Sequence, residues 1–355
     1  MPATRRWKNR PACLSAFVRR LPALAFCLWS AGSVAHHSHA EFSSELTVVE
    51  GELLSIAWRN PHPAMTLRVS SNGADETWQV QVLGNINGLR RDGVTGDIFT
   101  VGERVTITGQ PSRRRAGLLL ATHVSFADGS QALLGPDEST GQAIYRGQGT
   151  VSAPRAASEE PEGLFRVWLV AERFRNPDLP LRPEARRAKE TWDPVTDDPQ
   201  LGCQPLGMPG AMMSPHPIQF VERGSDIELR LEEWDAVRTI HMSSAMTRSG
   251  VAATRMGYST GRWEEGALVV TTTAIDYPFM DEHGTPQSEA VEVVERFTLS
   301  PDERSLAWEA TVTDPGTMTE PVVAFTTRWE WVPGEALQPY DCAVLDPPLP
   351  VDAVR

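Results

Sequence analysis

The sequence predicts an all-β protein built from two β-barrels, a small one followed by a larger antiparallel one. Three observations predict it. Short stretches of alternating apolar and polar residues, or of continuous apolar residues, recur along the chain. Gly, Asn and Asp turn signals separate them at short intervals. Only Arg182–Thr191 (RPEARRAKET) has the composition of a helix.

The chain opens with a leader. Arg5, Arg6, Lys8, Arg10, Arg19 and Arg20 precede the apolar run Leu21–Trp29, and Ser33-Val34-Ala35 supplies small residues. This is the layout of a secretory signal over residues 1–35, with an apolar run too short to span a bilayer as a helix. Cleavage after Ala35 would leave His36-His37-Ser38-His39 as the mature start and a periplasmic or secreted protein. The pair Arg5-Arg6 fits a twin-arginine signal only loosely, and Phe26 before Cys27 argues against a lipid anchor. The formal net charge is −13, and the leader is purely basic, so the mature chain is more acidic still. Such a chain is a poor partner for nucleic acid or anionic lipid, and no membrane span is expected. Cys13 and Cys27 leave with the leader. Cys203 and Cys342 remain, an even pair in an oxidising compartment, and are expected to form a disulfide.

Residues 36–134 read as the small barrel. Its strands are expected at Thr47–Ile56, Ala64–Ser70, Glu76–Val82, Arg104–Gly109 and Leu118–Phe126. Turns fall at Ser71-Asn72-Gly73, Asp92-Gly93, Gly96-Asp97, Val101-Gly102-Glu103 and Asp128-Gly129. Five strands in so short a span suggest an OB-like barrel, a fold name that carries no function by itself. Residues 135–163, rich in Gly, Ser, Ala, Pro and Glu, read as a linker with one short strand at Ala143–Tyr145.

Residues 164–345 read as the large barrel, with 346–355 as a tail. Strands are expected at Leu164–Ala171, Ile218–Glu222, Asp226–Glu233, Ala236–Met242, Gly257–Glu264, Ala267–Ile275, Val291–Leu299, Ser305–Thr313 and Pro321–Trp331. Eight or nine antiparallel strands with short hairpins suggest an up-and-down barrel, filled by side chains or holding one small ligand.

Two resemblances follow from particular residues. The His-His-Ser start, Glu41-Phe42 and Trp58-Arg59-Asn60-Pro61-His62 resemble an uncharacterised family of exported bacterial domains. Cys203-x-Pro205, Gly207-Met208-Pro209, Pro217-Ile218, Arg238–Met242, Gly257–Glu264 and Tyr340-Asp341-Cys342 resemble a second uncharacterised exported family, with a lipocalin-like barrel. Together they cover nearly the whole mature chain and imply no particular activity.

Four groups of residues bear on chemistry. An α-amine at His36, with His37, His39 and the more distant His62, offers ligands suited to Cu(II) and Ni(II) and forms a candidate copper site; copper is the candidate cofactor. A histidine-rich terminus also binds copper adventitiously. The turn bearing Met208, Met212, Met213 and His216 reads as a lid or wall of the large barrel rather than a metal site. Trp263, Trp329, His241, Arg262, Met208 and Met212 are candidate ligand-binding residues, because the large barrel is rich in Trp. His241, Glu264, Glu295 and Asp276 are candidate acids or bases, should they face an apolar cavity. The plainer alternative pairs Arg238, Arg262 and Arg296 with Glu232, Glu264 and Glu295 across strands. Gly257–Gly261 matches GxSxG, but an all-β setting lacks the strand-to-helix elbow.

Three functional readings result: a carrier of a small apolar molecule in the large barrel, a copper-binding protein, or a cofactor-free hydratase, isomerase or cyclase. The small barrel is the candidate docking module for a protein partner.

Overall fold

A computed structural model describes residues 42–71, 73–135, 145–146, 163–194, 196–243 and 251–343. Residues 1–35, where a signal peptide is expected, His36, His37, His39, most of the expected linker at 135–163 and the expected tail at 346–355 lie outside the described residues. All the barrel strands fall within one compact unit, Ala35–Arg355.

The small barrel is built from β1 (Thr47–Ala57), β2 (Ala64–Ser71), β3 (Ala74–Val82), β4 (Arg104–Pro111) and β5 (Leu118–Phe126). The order around it is β3-β2-β1-β4-β5, closed by a parallel pairing of β3 with β5. Five strands cannot alternate direction all the way round a ring, so one neighbouring pair must run parallel. Here Val80 sits opposite Leu119 at that pair. Leu53, Leu67, Val82, Ile107, Leu119 and Val124 fill the interior. Gly109 lets β4 bulge onto β5: a Cβ there would lie 2.3 Å from the Leu120 carbonyl oxygen. Two short strands extend the sheet, β6 (Gln131–Leu133) and β7 (Tyr145–Arg146), the latter one residue past the strand end expected in the linker.

Strand β6 and one helix escaped the sequence reading. Helix α1 (Ile86–Arg91) follows β3, capped by the Asn85 side chain accepting from the Gly88 N–H at 2.7 Å. Six residues are too few to display a helical period.

The large barrel closes in the order β10-β11-β12-β13-β14-β15-β16-β8-β9. Its strands are β8 (Val167–Arg175), β9 (Ile218–Arg223), β10 (Asp226–Leu231), β11 (Ala236–His241), β12 (Tyr258–Glu264), β13 (Ala267–Thr273), β14 (Glu292–Leu299), β15 (Ser305–Thr313) and β16 (Val322–Trp331). The expected all-antiparallel arrangement needs one correction. Nine is also odd, and the parallel pair is β11 with β12, where Ile240 faces Ser259 and His241 faces Thr260. Gly261 lets this seam pack tightly: a Cβ there would meet Met242 Sδ at 2.5 Å and Ile240 Cγ2 at 2.6 Å. The predicted helix is α2 (Pro183–Thr191), with Pro at its first turn.

The interior of the large barrel is filled. Trp168, Trp308, Trp329, Phe220, Phe297 and Phe325 are each at most 2 % exposed. A ligand-sized void would leave its lining side chains accessible to water, and these are not. The Met-rich turn closes one end as a wall. Met208 donates its N–H to the Arg255 carbonyl at 3.0 Å, and Gln287 Nε2 donates to the Met208 carbonyl at 3.0 Å. Arg173 Nη1 donates to the Met213 carbonyl at 2.5 Å.

Candidate functional site

The structure separates the four candidate acids and bases. Along β11, Arg238 and Ile240 point inward, whereas His241 points outward, hydrogen-bonds Asp226 at 2.9 Å and stacks on Tyr258. Glu264 lies on the outer wall, bound by Arg262 at 2.6 Å and reached by Arg296 at 3.6 Å. Asp276 is exposed in the loop after β13. Glu295 alone faces the interior, where Arg238 grips both its oxygens and Trp308 Nε1 donates at 3.1 Å. Ser259 and Thr272 complete the Arg238 shell at 2.7 and 2.5 Å. A carboxylate so bonded is a packed structural ion pair, and the four residues form no common site.

The candidate ligand residues divide the same way. Trp329, Met208 and Met212 are core, with no surface to offer a ligand. Trp263 is 51 % exposed, and Arg262 is exposed beside it. The cross-strand alternative holds for Arg296 with Glu264, but Arg238 pairs with Glu295 in the interior and Glu232 pairs with a residue of the small barrel.

That last pairing marks where the two sequence signatures meet. Between β10 and β11 the chain turns through Trp234 and Asp235 with φ of +64° and +47°, a left-handed backbone that non-glycine residues rarely adopt. The turn carries Glu232 and Glu233 to the junction with the small barrel. Glu232 is buried and accepts from Arg91 Nη1 at 3.0 Å, Arg91 Nη2, Asn87 Nδ2 at 3.1 Å and the Gln338 N–H at 2.8 Å. His216 Nδ1 lies 3.1 Å from the same carboxylate. Burial pushes the Glu232 carboxyl up, but the bonds from His216 and Arg91 outweigh it and bring its pKa down to about 2.

His62, from the Trp-x-Asn-Pro-His stretch, lies on the small-barrel side of this junction. Burial lowers its pKa, against backbone contacts at Gly84, Val82 and Leu83, with His216 adding a smaller repulsion. Asn60 is fully buried and accepts from the Ile86 N–H at 3.2 Å. Nearby, burial raises Asp198 to about 6 and Tyr277 to about 12. Glu282 is also held up by burial, and Arg173 is held down by it. No group of three or more His, Cys, Asp or Glu side chains suited to a metal ion occurs among the described residues. The predicted Cys203–Cys342 disulfide is present beside the junction. The α1 end of the small barrel is thus occupied by the chain's own large barrel.

A second feature lies on the outer wall. Strands β14, β15, β16 and β8 present two registered rows outward. One row is Arg296, Glu309, Thr326 and Phe174; the other is Thr298, Ala307, Arg328 and Glu172. They line a half-open groove of about 560 Å³. Small residues at Thr298, Ala307 and Thr326 make the hollow, Phe174 is a 57 % exposed apolar edge, and charges form the rim. Arg328 is tied to Glu172 at 2.8 Å and Glu330 at 2.6 Å.

Residues 25–120 match a family of unknown function (DUF6152). The match takes in the Trp-x-Asn-Pro-His stretch and most of the small barrel, and leaves the large barrel unmatched. No curated protein matches the chain. Among the described residues, no helix is long and apolar enough to cross a membrane.

Proposed function

We propose that the chain is an exported binding protein that carries a small molecule with an apolar body, held in the groove on the outer wall of the large barrel. The groove itself carries this reading. Its volume falls within the range of about 300–1,000 Å³ typical of small-molecule sites, and it combines an apolar edge and small-residue floor with a charged rim. Because the interior is filled, this reading assigns the ligand to the barrel's wall rather than to its centre. The test is native mass spectrometry of protein purified with its natural N-terminus, compared with Ala307→Trp. Ala307 is exposed, so the variant fills the groove without entering the core. A bound organic mass present in the parent and lost in A307W supports the groove. A ligand retained in A307W, or none in either protein, refutes it.

A second reading is copper binding by His36, His37 and His39 with His62. One observation favours it. Phe42 belongs to a small apolar cluster with Leu118 and Leu120, Leu83 packs against that cluster, and the Leu83 backbone touches His62. His39 is three residues from Phe42, a reach of roughly 10 Å. Replacing His36 or His62 should each weaken copper binding in the processed protein; unchanged affinity in both removes the reading.

A further inference from the structure

The C-terminal segment after β16 forms a strap along the junction of the two barrels. Arg91 Nε donates to Glu335 at 3.0 Å, and Arg91 Nη2 reaches the Ala336 carbonyl at 3.4 Å. Asn87 Nδ2 reaches the Pro339 carbonyl at 3.3 Å, and the Tyr340 N–H donates to Asp235 at 3.2 Å. The Asn60 N–H donates to the Asp341 carbonyl, and the Ala343 N–H donates to the Asn60 carbonyl, both at 3.2 Å. The Tyr340 ring packs on Trp234 and on His216, with centroids 4.9 and 5.1 Å away. The strap therefore touches α1 and the motif residue Asn60 on one side, and the β10–β11 turn on the other.

Each of these hydrogen bonds is a modest net contribution. The one covalent attachment at the strap's far end is the Cys203–Cys342 disulfide, which joins positions 139 residues apart. Both cysteines are only partly buried, and Gly202, Gln204 and Asp341 beside them are exposed. A thiol can approach the bond from solvent.

We propose that Cys203–Cys342 is a reducible clasp, the substrate of an external dithiol, and that opening it releases the strap from the junction. One thiolate of the dithiol attacks one cysteine sulfur, and the S–S bond breaks. The other cysteine leaves as a thiolate and takes a proton. The second thiol of the dithiol then attacks the mixed disulfide, frees the first cysteine as a thiol and leaves the dithiol oxidised to its own disulfide. Two electrons pass to the protein. The direct contacts of Glu232 with Arg91 and Asn87 remain, whereas the bonds of residues 335–343 lose their covalent anchor.

The experiment is amide hydrogen exchange, read by mass spectrometry, on the mature protein before and after dithiothreitol and again after reoxidation. The expected result is exchange about tenfold faster or more at Gln338, Tyr340, Ala343 and Asn60, reversed on reoxidation, with β12–β16 still protected. A bond that resists dithiothreitol in the native protein overturns the proposal. So does unchanged exchange in the strap, or loss of protection throughout both barrels, which would make the bond a global staple. Cys342→Ser, where it folds, should reproduce the reduced pattern without reductant.

Discussion

The Glu232 carboxylate, at the end of β10, takes both terminal guanidinium nitrogens of Arg91, the last residue of α1 in the small barrel. The two residues are separated by 141 positions in sequence. Their pairing, with Asn87, His216 and the Gln338 amide on the same carboxylate, joins two barrels whose strands form separate sheets.

Arg91→Ala should destabilise the protein by about 3 kcal/mol, because it leaves a buried carboxylate short of its main charge partner. Urea unfolding of the variant measures this. Replacing both Arg91 and Glu232 with apolar residues should cost less than the sum of the single changes. A strictly additive pair would mean the residues are not coupled.

Acid should loosen the junction. The folded-state pKa of Glu232, about 2, lies below its ordinary value of 4.5. The stabilisation from this group is therefore complete above about pH 4.5 and is lost as pH falls toward 2. Melting temperature followed from pH 6 to pH 2 should drop less steeply in Glu232→Gln than in the parent, because the variant has already lost this group's contribution. Parallel curves would contradict the assignment.

Asp198 carries the opposite sign. Burial raises its pKa from 3.8 to about 6, so its ionised form opposes folding at neutral pH. That penalty is absent below about pH 3.8, grows through pH 6 and is full above it. Asp198→Asn keeps an acceptor for the Gln200 N–H, which the Asp198 carboxylate holds at 2.9 Å. The variant should be more stable than the parent at pH 7.5 and equal to it at pH 3.5. Thermal melts at those two values provide the comparison.

Trp329→Ala tests the filled interior. A packed core tryptophan should cost about 3–5 kcal/mol on truncation. A side chain lining a ligand cavity would cost far less in stability and would instead abolish binding. Chemical denaturation and native mass spectrometry on the same sample separate the two outcomes.

Most expected strands needed only small adjustments at their ends, because period-two alternation is written locally in the chain; the strand expected at Leu164–Ala171 is displaced to Val167–Arg175. Ser305–Thr313 is found with the predicted bounds, and Leu118–Phe126 likewise. The disulfide was legible from the cysteine count once the expected leader was set aside. The candidate sites were less legible. Alternation placed Arg238 and His241 on opposite faces of β11 but gave no sign of which face was inside. The interior took the arginine, because Glu295, Ser259 and Thr272 could satisfy it there. Nothing local marked Glu232 as the partner of Arg91, and nothing announced the left-handed turn at Trp234 and Asp235.

The sequence alone determined the all-β class, the place of nearly every barrel strand and the cysteine pair, since each rests on neighbours along the chain or on simple counting. Tertiary structure decided the parallel pairs, because parity matters only when a sheet closes. It also decided the filled interior, the outer groove and the Glu232 junction, because those depend on which distant side chains meet and how much water they exclude.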